Sequence, residues 1–239
     1  MIGGLSVLAI IPARGGSKGL HGKNIIDFCG KPLIAWTIAA AHQSKYIDRT
    51  ILSSDDPKII DVSRRYGCDV PFERPAELAT DLATSHGVVL HAIRCVPDYD
   101  LIVLLQPTSP LRTAKHIDEA LELMIRLQSR NCIAVSEVSE HPSWMFNMTE
   151  QGTLEKFEQG IAAAQRRQDL RRLYIPNGAI YIISKNLVEK SKSLILECAS
   201  AYEMPQALSV DIDSELDLKV AETIMNHRRF VPPTLETKT

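Results

Sequence analysis

Short apolar runs alternate along this chain with longer stretches in which apolar positions recur every three or four residues. Residues 5–11, 50–54, 100–105, 131–138 and 178–184 read as strands, the first rich enough in Val, Ile and Leu to be buried on both faces. Pro32 is placed at the first position of a helix in which Leu33, Trp36, Thr37, Ala40 and Ala41 recur to about residue 42. A helix over 57–66 turns Ile59, Ile60 and Val62 inward and stops at Gly67. Another is expected from about 84 to 95, and Thr113 caps one with the stripe Ile117, Ala120, Leu121, Met124. Short strands are expected over 69–72 and 207–212, a short helix after Ser184, and a last helix opened by Ser214-x-x-Asp217 and running to about 227.

Strands alternating with helices predict βαβ units. The fold class is therefore α/β, with a mainly parallel sheet between two helical layers. The order breaks over 140–176, where 146–148, the turn Glu150-Gln151-Gly152 and 153–157 read as an inserted hairpin. Arg166, Arg167, Arg171 and Arg172 crowd after it. One domain over 1–229 and a loose tail over 230–239 are expected.

With 239 residues, 45% of them hydrophobic, the chain suits one well-cored domain, and a net charge of -2 gives no basic surface for nucleic acid. No apolar run approaches the roughly 20 residues a membrane helix needs, and the first residues lack the pattern of a signal peptide. Five scattered cysteines without metal-ligand spacing read as reduced core thiols of a cytoplasmic protein. The histidines show no His-x-x-x-His spacing, and no Gly-x-Ser-x-Gly elbow supports a serine nucleophile.

The chemistry gathers after the first strand. Residues 13–24, Ala-Arg-Gly-Gly-Ser-Lys-Gly-Leu-His-Gly-Lys-Asn, set four glycines among Arg14, Lys18 and Lys23. Such a loop either cradles phosphates with its N–H groups and cations or is a solvated surface turn. It matches neither the Walker nor the Rossmann spacing. Arg74, held extended by Pro75, either reaches the same anion or pairs with Glu73 or Glu77. Gln106 and Thr108, in a proline-rich loop after a strand, offer an acceptor and a donor suited to a pyrimidine edge, or serve as turn formers. Asp211 and Asp213, two apart in an expected strand, share one face and suit Mg²⁺, or else cap the last helix.

The 13–24 stretch resembles the signature of the acylneuraminate cytidylyltransferases, the CMP-nonulosonic acid synthetases that activate sialic acid and related nine-carbon acid sugars. Four further blocks match in order: Arg74-Pro-Ala-Glu-Leu-Ala with Asp81 and Ser85, residues 106–112, Arg167-Gln followed by residues 176–181, and Asp211-Ile-Asp213 with Glu215 and Asp217. Residues 201–204 make a weaker sixth. The resemblance implies a Rossmann-like nucleotide-diphospho-sugar transferase fold and transfer of CMP from CTP to an acid sugar, with release of pyrophosphate. It assigns Arg14, Gly16, Ser17, Lys23, Asn24, Arg74 and Ser85 to the nucleotide and Gln106, Thr108, Arg167 and Asn177 to the sugar. Asp211 and Asp213 fall to Mg²⁺, and Arg14, Lys23 and Asp211 to catalysis. It also implies a homodimer built through 140–176. Departures fall on the sugar side: Arg171 stands where relatives often have proline, and Trp144 where some have a basic residue. Sialic, legionaminic and pseudaminic acids thus all remain open. A pyrophosphorylase for another sugar and a non-catalytic nucleotide-binding module are the competing readings.

Overall fold

The first apolar run becomes β1 (Val7–Pro12), whose residues 7–11 are fully buried. In the computed structural model, which describes residues 1–17, 19–157, 166 and 170–230 (the last three by backbone alone), β1 lies deep in a six-stranded sheet. After it come the small hairpin β2 (Asp27–Phe28) and β3 (Lys31–Pro32), α1 (Leu33–Gln43), β4 (Arg49–Ser53), α2 (Pro57–Arg65), α3 (Ser85–Cys95) and β5 (Leu101–Leu104). The second half holds α4 (Ala114–Arg126), β6 (Asn131–Glu137), the hairpin β7 (Phe146–Met148) and β8 (Leu154–Lys156), β9 (Tyr174–Ser184), α5 (Lys185–Lys190), β10 (Ser200–Glu203) and α6 (Glu215–Phe230).

The sheet order is β10-β6-β9-β5-β1-β4. All pairings are parallel except those of β9, which runs antiparallel to both β5 and β6. This inversion matters for the site, because it brings the amino-terminal end of β9 to the carboxyl edge of the other strands. Alternating β1 side chains pack against two layers. Val7, Ala9 and Ile11 join α1, α2 and α4, while Leu8 and Ile10 join α3 and α5. A third, smaller cluster seats Leu20, Phe28, Leu111, Ile212 and Ala221 against one another. It fastens the glycine loop, the proline loop and the segment before α6 to one apolar anchor.

Several expectations need correction. Pro32 does not open α1; it is the extended residue before it (ψ 139) and the last residue of β3, after a turn in which Cys29 and Gly30 take positive φ. Residues 69–72 form no strand beyond one bridge, Asp69 to Ile51, and Pro71 lacks the N–H that would extend it. The late strand expected over 207–212 is also absent. Its place is taken by a 3-10 turn, Gln206–Leu208, and irregular chain, and the sheet strand is β10 instead. Of the cysteines only Cys68 and Cys132 are buried, Cys29 is half-buried, and Cys95 and Cys198 are exposed. The tail beyond residue 230 lies outside the described residues. Among those residues no helix is long and apolar enough to cross a membrane.

Candidate active site

The carboxyl ends of β1, β4 and β5 open on a cleft of ≈ 270 Å³ walled by Arg14, Lys23, Arg74, Asp81, Gln106 and Thr108, with Ser17, Asn24 and Ser85 also on its surface. The glycine loop that forms one wall is held from below. Ala13 N–H extends the β1–β4 ladder to Ser53 O at 3.0 Å. Buried Asn24 donates to the Arg14 carbonyl at 3.0 Å, so its amide shapes the loop. Gly15 and Gly19 are required by space. A Cβ at 15 would stand 2.5 Å from Asp56 Oδ2, and one at 19 would stand 2.4 Å from the Asp213 carbonyl. Gly16 has open space around it. Its use lies in its backbone rather than in tight packing.

Three cations face the cleft. Arg14 pairs with Asp81 at 2.7 Å, and Lys23 pairs with Asp213 at 2.7 Å. Arg74 is nearly buried; its Nε donates to Ser53 Oγ at 3.0 Å and its Nη2 to the Ser53 carbonyl. Burial pushes the Arg74 guanidinium down to about 10, with Asp55 opposing that fall and the positive charge of Arg14 adding to it. It stays charged at neutral pH. Two guanidiniums held near one another, with one of them donating to neutral oxygens, make a site built for an anion. The alternative partners Glu73 and Glu77 do not hold Arg74.

Thr84 caps α3 by accepting from Gly87 N–H at 3.1 Å, which sets Ser85 at the first turn on the cleft wall. On the far side, Arg112 fixes the proline loop. It is almost fully buried and donates to the Gln106 carbonyl (3.1 Å), the Ala179 carbonyl (2.8 Å) and Thr37 Oγ1 (2.6 Å). Burial lowers it to about 9. The Thr108 carbonyl accepts from Ile212 N–H at 2.9 Å, and its hydroxyl hydrogen-bonds Asp211.

Asp211 and Asp213 do share a side of the chain, though not through a strand. Ile212 between them is fully buried in the third cluster, so both carboxylates face outward. Desolvation of its carboxyl against the cleft edge raises Asp211 above its ordinary value. The Thr108 bond lowers it, Asp213 raises it, and Lys23 lowers it again. Neither carboxylate caps α6; that duty falls to Ser214 and Asp217, whose Oδ2 accepts from Ser214 N–H at 2.8 Å. Among the described residues no group of three or more His, Cys, Asp or Glu is arranged to hold a metal. Two hard carboxylates beside a cleft lined by three cations nevertheless fit a hard cation such as Mg²⁺.

Asn177 lies near this edge but is 7% exposed, and its amide is engaged on both atoms. Nδ2 donates to Ser209 Oγ at 2.9 Å, and Oδ1 accepts from Ala179 N–H at 3.1 Å. Lys18 and Arg167 lie outside the described residues. Arg172 is engaged with Tyr174 and lies near Glu137, and Arg171 is exposed. Sequence reasoning did not foresee Asp81 as the partner of Arg14, Ser53 as the seat of Arg74, or Arg112 as the clamp on Gln106. Asp81 and Arg112 both stood in matching blocks. Ser53, at the end of a strand otherwise buried, gave no signal.

A family model described as Cytidylyltransferase matches residues 8–229. The chain belongs to the cytidylyltransferase family. Among curated relatives, this chain is 37% identical to the N-acylneuraminate cytidylyltransferase of Escherichia coli O18:K1:H7, over 93% of the chain and 52% of that protein. It thus spans about half the length of that relative. It is 36% identical to the pseudaminic acid cytidylyltransferase of Campylobacter jejuni, over 92% of the chain and 97% of that protein. Its fold matches the structure of a CMP:2-keto-3-deoxy-manno-octonic acid synthetase complexed with CTP at a TM-score of 0.71 and 17% identity, covering 93% of the chain and 99% of that one. The Rossmann-like three-layer α/β architecture expected from the sequence is therefore the fold observed.

Proposed function

We propose that this chain transfers CMP from CTP to a nine-carbon α-keto acid sugar. The observation that carries the reading is the convergence of Arg14, Lys23 and Arg74 on one cleft, at whose rim Lys23 pairs with Asp213 and Thr108 bonds Asp211. In the reaction the anomeric 2-hydroxyl of the sugar forms a bond to the α-phosphorus of CTP. The bond from that phosphorus to the bridging α–β oxygen breaks, pyrophosphate leaves with the electron pair, and the hydroxyl proton passes to the Asp211 carboxylate. Arg14, Arg74 and Lys23, with the Gly16 N–H and the Ser17 side chain, hold the phosphates in line. Most of the catalysis is positioning and charge neutralisation. Asn24 and Ser85 shape the nucleotide side, and Gln106, Thr108 and Arg167 are assigned to the sugar. Asp211 and Asp213 would hold Mg²⁺, which when bound neutralises charge developing on the phosphate oxygens.

The protein is further proposed to act as a cytoplasmic homodimer. Support comes from Met148, Leu154 and Phe157 on and beside the β7–β8 hairpin and Ile175 on β9, all large, apolar and more than half exposed. The test is pyrophosphate release from CTP and Mg²⁺ with N-acetylneuraminic, legionaminic, pseudaminic and octulosonic acids. Release with a nine-carbon acid is expected. Silence with all the acids but release with a sugar 1-phosphate would overturn the reading in favour of a pyrophosphorylase.

A further inference from the structure

The peptide unit that joins Arg14 to Gly15 is held at both ends, by two different partners. Its carbonyl accepts from Asn24 Nδ2 at 3.0 Å, and its N–H donates to Asp55 Oδ1 at 3.3 Å. A peptide unit is planar, so fixing both ends fixes its rotation. Gly15 and Gly16 carry no side chains that would resist a flip of the backbone at this point. The other holds on the loop act on other atoms. Ala13 N–H reaches Ser53, Ser17 N–H closes on the Gly15 carbonyl at 3.1 Å, and the side chains of Arg14 and Lys23 pair with Asp81 and Asp213. With the amides of Gly15 and Ser17 engaged, the Gly16 N–H between them has no protein partner among the described residues. Arg14 and Ser17, which flank it, both lie on the cleft surface.

Asp55 belongs to the turn from β4 into α2, and the same turn seats Arg74. Ser53 and Ser54 are fully buried there. The Ser54 carbonyl accepts from Arg74 N–H at 2.8 Å, beside the bonds that Ser53 makes with the Arg74 side chain. Asp56 caps α2 by accepting from Lys58 N–H at 2.7 Å, so that helix start does not depend on Asp55. Asp55 itself is half-buried and lies behind the cleft wall rather than on it.

We propose that Asp55 is a positioning residue for the triphosphate: by holding the Gly15 N–H it locks the backbone that presents the Gly16 N–H and the Ser17 hydroxyl to the phosphates, in register with the guanidinium seated by the same turn. This role rests on the nucleotide side of the proposed function. A carboxylate at this place favours the charged form of Arg74 but also repels phosphate. Its benefit to the site therefore lies in the bond to Gly15, which a neutral acceptor can make as well.

The test titrates CTP by calorimetry, with Mg²⁺ present and acid sugar absent, into wild type, Asp55→Ala and Asp55→Asn. Asn keeps an oxygen that can accept from Gly15 and removes the charge. Asp55→Ala is expected to weaken CTP by roughly tenfold, the effect of losing a hydrogen bond to a charged group, and Asp55→Asn to restore most of that loss. In steady state the KM for CTP should rise in Asp55→Ala while that for the acid sugar stays near wild type. A general loosening of the fold would not split the two. Hydrogen exchange in the unaltered protein carries the test if Asp55→Ala does not fold. The Gly15 amide should exchange more slowly than the Gly16 amide, and CTP should slow the Gly16 one. Wild-type CTP affinity in Asp55→Ala, an equal loss in both variants, or a Gly15 amide that exchanges as fast as that of Gly16 would overturn the positioning role. A wild-type protein that binds no CTP defeats the proposed reaction and this role together, whereas normal CTP binding in Asp55→Ala defeats the role alone.

Discussion

Lys23 Nζ and Asp213 Oδ1 lie 2.7 Å apart, joining the glycine loop to the segment that precedes α6. The lysine end is 13% exposed and the aspartate end 75%, so the pair bridges from the protein to water. With no triphosphate present, each charge is held by the other. A bound CTP and its cation would take both away. Ion pairs with one exposed partner stabilise folds by about 1 kcal/mol at most, so the fold should lose little without this one. Lys23→Met should lower kcat/KM by roughly 10²- to 10³-fold, the cost of one preorganised charge donor. Its melting temperature should stay close to that of the wild type. Steady-state kinetics beside a thermal melt check both halves.

The Arg14–Asp81 pair makes the opposite prediction. In the proposed reaction Asp81 would compete with phosphate for the Arg14 guanidinium. Replacing it with Asn leaves the Arg14 side chain in place and removes the competing charge. Asp81→Asn should tighten CTP binding by about two- to fivefold, the worth of a partly exposed ion pair. Isothermal titration without sugar measures it. Weaker binding would mean that Asp81 itself holds the nucleotide.

Gly19 tests how the loop closes. Its Cβ would meet the backbone carbonyl of Asp213, which no side-chain rotation can move aside. Gly19→Ala should push the loop from the 211–213 segment and lower the melting temperature. Gly16→Ala, set in open space, should leave melting unchanged. Equal melting temperatures for the two variants would contradict this account of the loop.

Far from the cleft, Asp100 accepts from Ser6 N–H at 2.9 Å and Ser6 Oγ at 2.8 Å. The Ser6 backbone bond, more than any other group, holds its carboxyl below the ordinary value of 3.8. A carboxyl depressed in the folded state stabilises the fold above its unfolded value, and the gain is lost as pH falls through the folded one. Asp100→Asn should therefore melt below wild type at neutral pH, with the gap closing as pH drops under 3.8. Melting curves in a pH series read this directly, and a gap that stays constant would count against it.

Much of this arrangement was legible in the residues. Buried strands such as 7–11 and 101–104 are apolar throughout, because helices cover both faces of the sheet. Thr84 and Thr113 announce helix starts because a cap satisfies local N–H groups. The failures lie where distant contacts decide. Residues 207–212 alternate like a strand, yet Ile212 is claimed by the apolar cluster with Leu20 and Phe28. The direction of β9 left no local mark either, so nothing in the pattern showed that Asn177 would reach the carboxyl edge and bond to Ser209. The phosphate side of the site was readable for a related reason. Apart from Arg74 it is built from a loop continuous in sequence, whereas the side around Asp211 is assembled from three separate segments.

The central claim is that CTP is cut between its α and β phosphates by an acid-sugar hydroxyl. Phosphorus NMR of CTP, Mg²⁺ and the acid sugar selected by the panel tests it most directly. The account predicts one pyrophosphate for each new CMP phosphodiester, with the reaction absent when the sugar is omitted and abolished in Asp211→Asn. Orthophosphate and CDP in place of pyrophosphate, or pyrophosphate formed at the same rate without sugar, would contradict it.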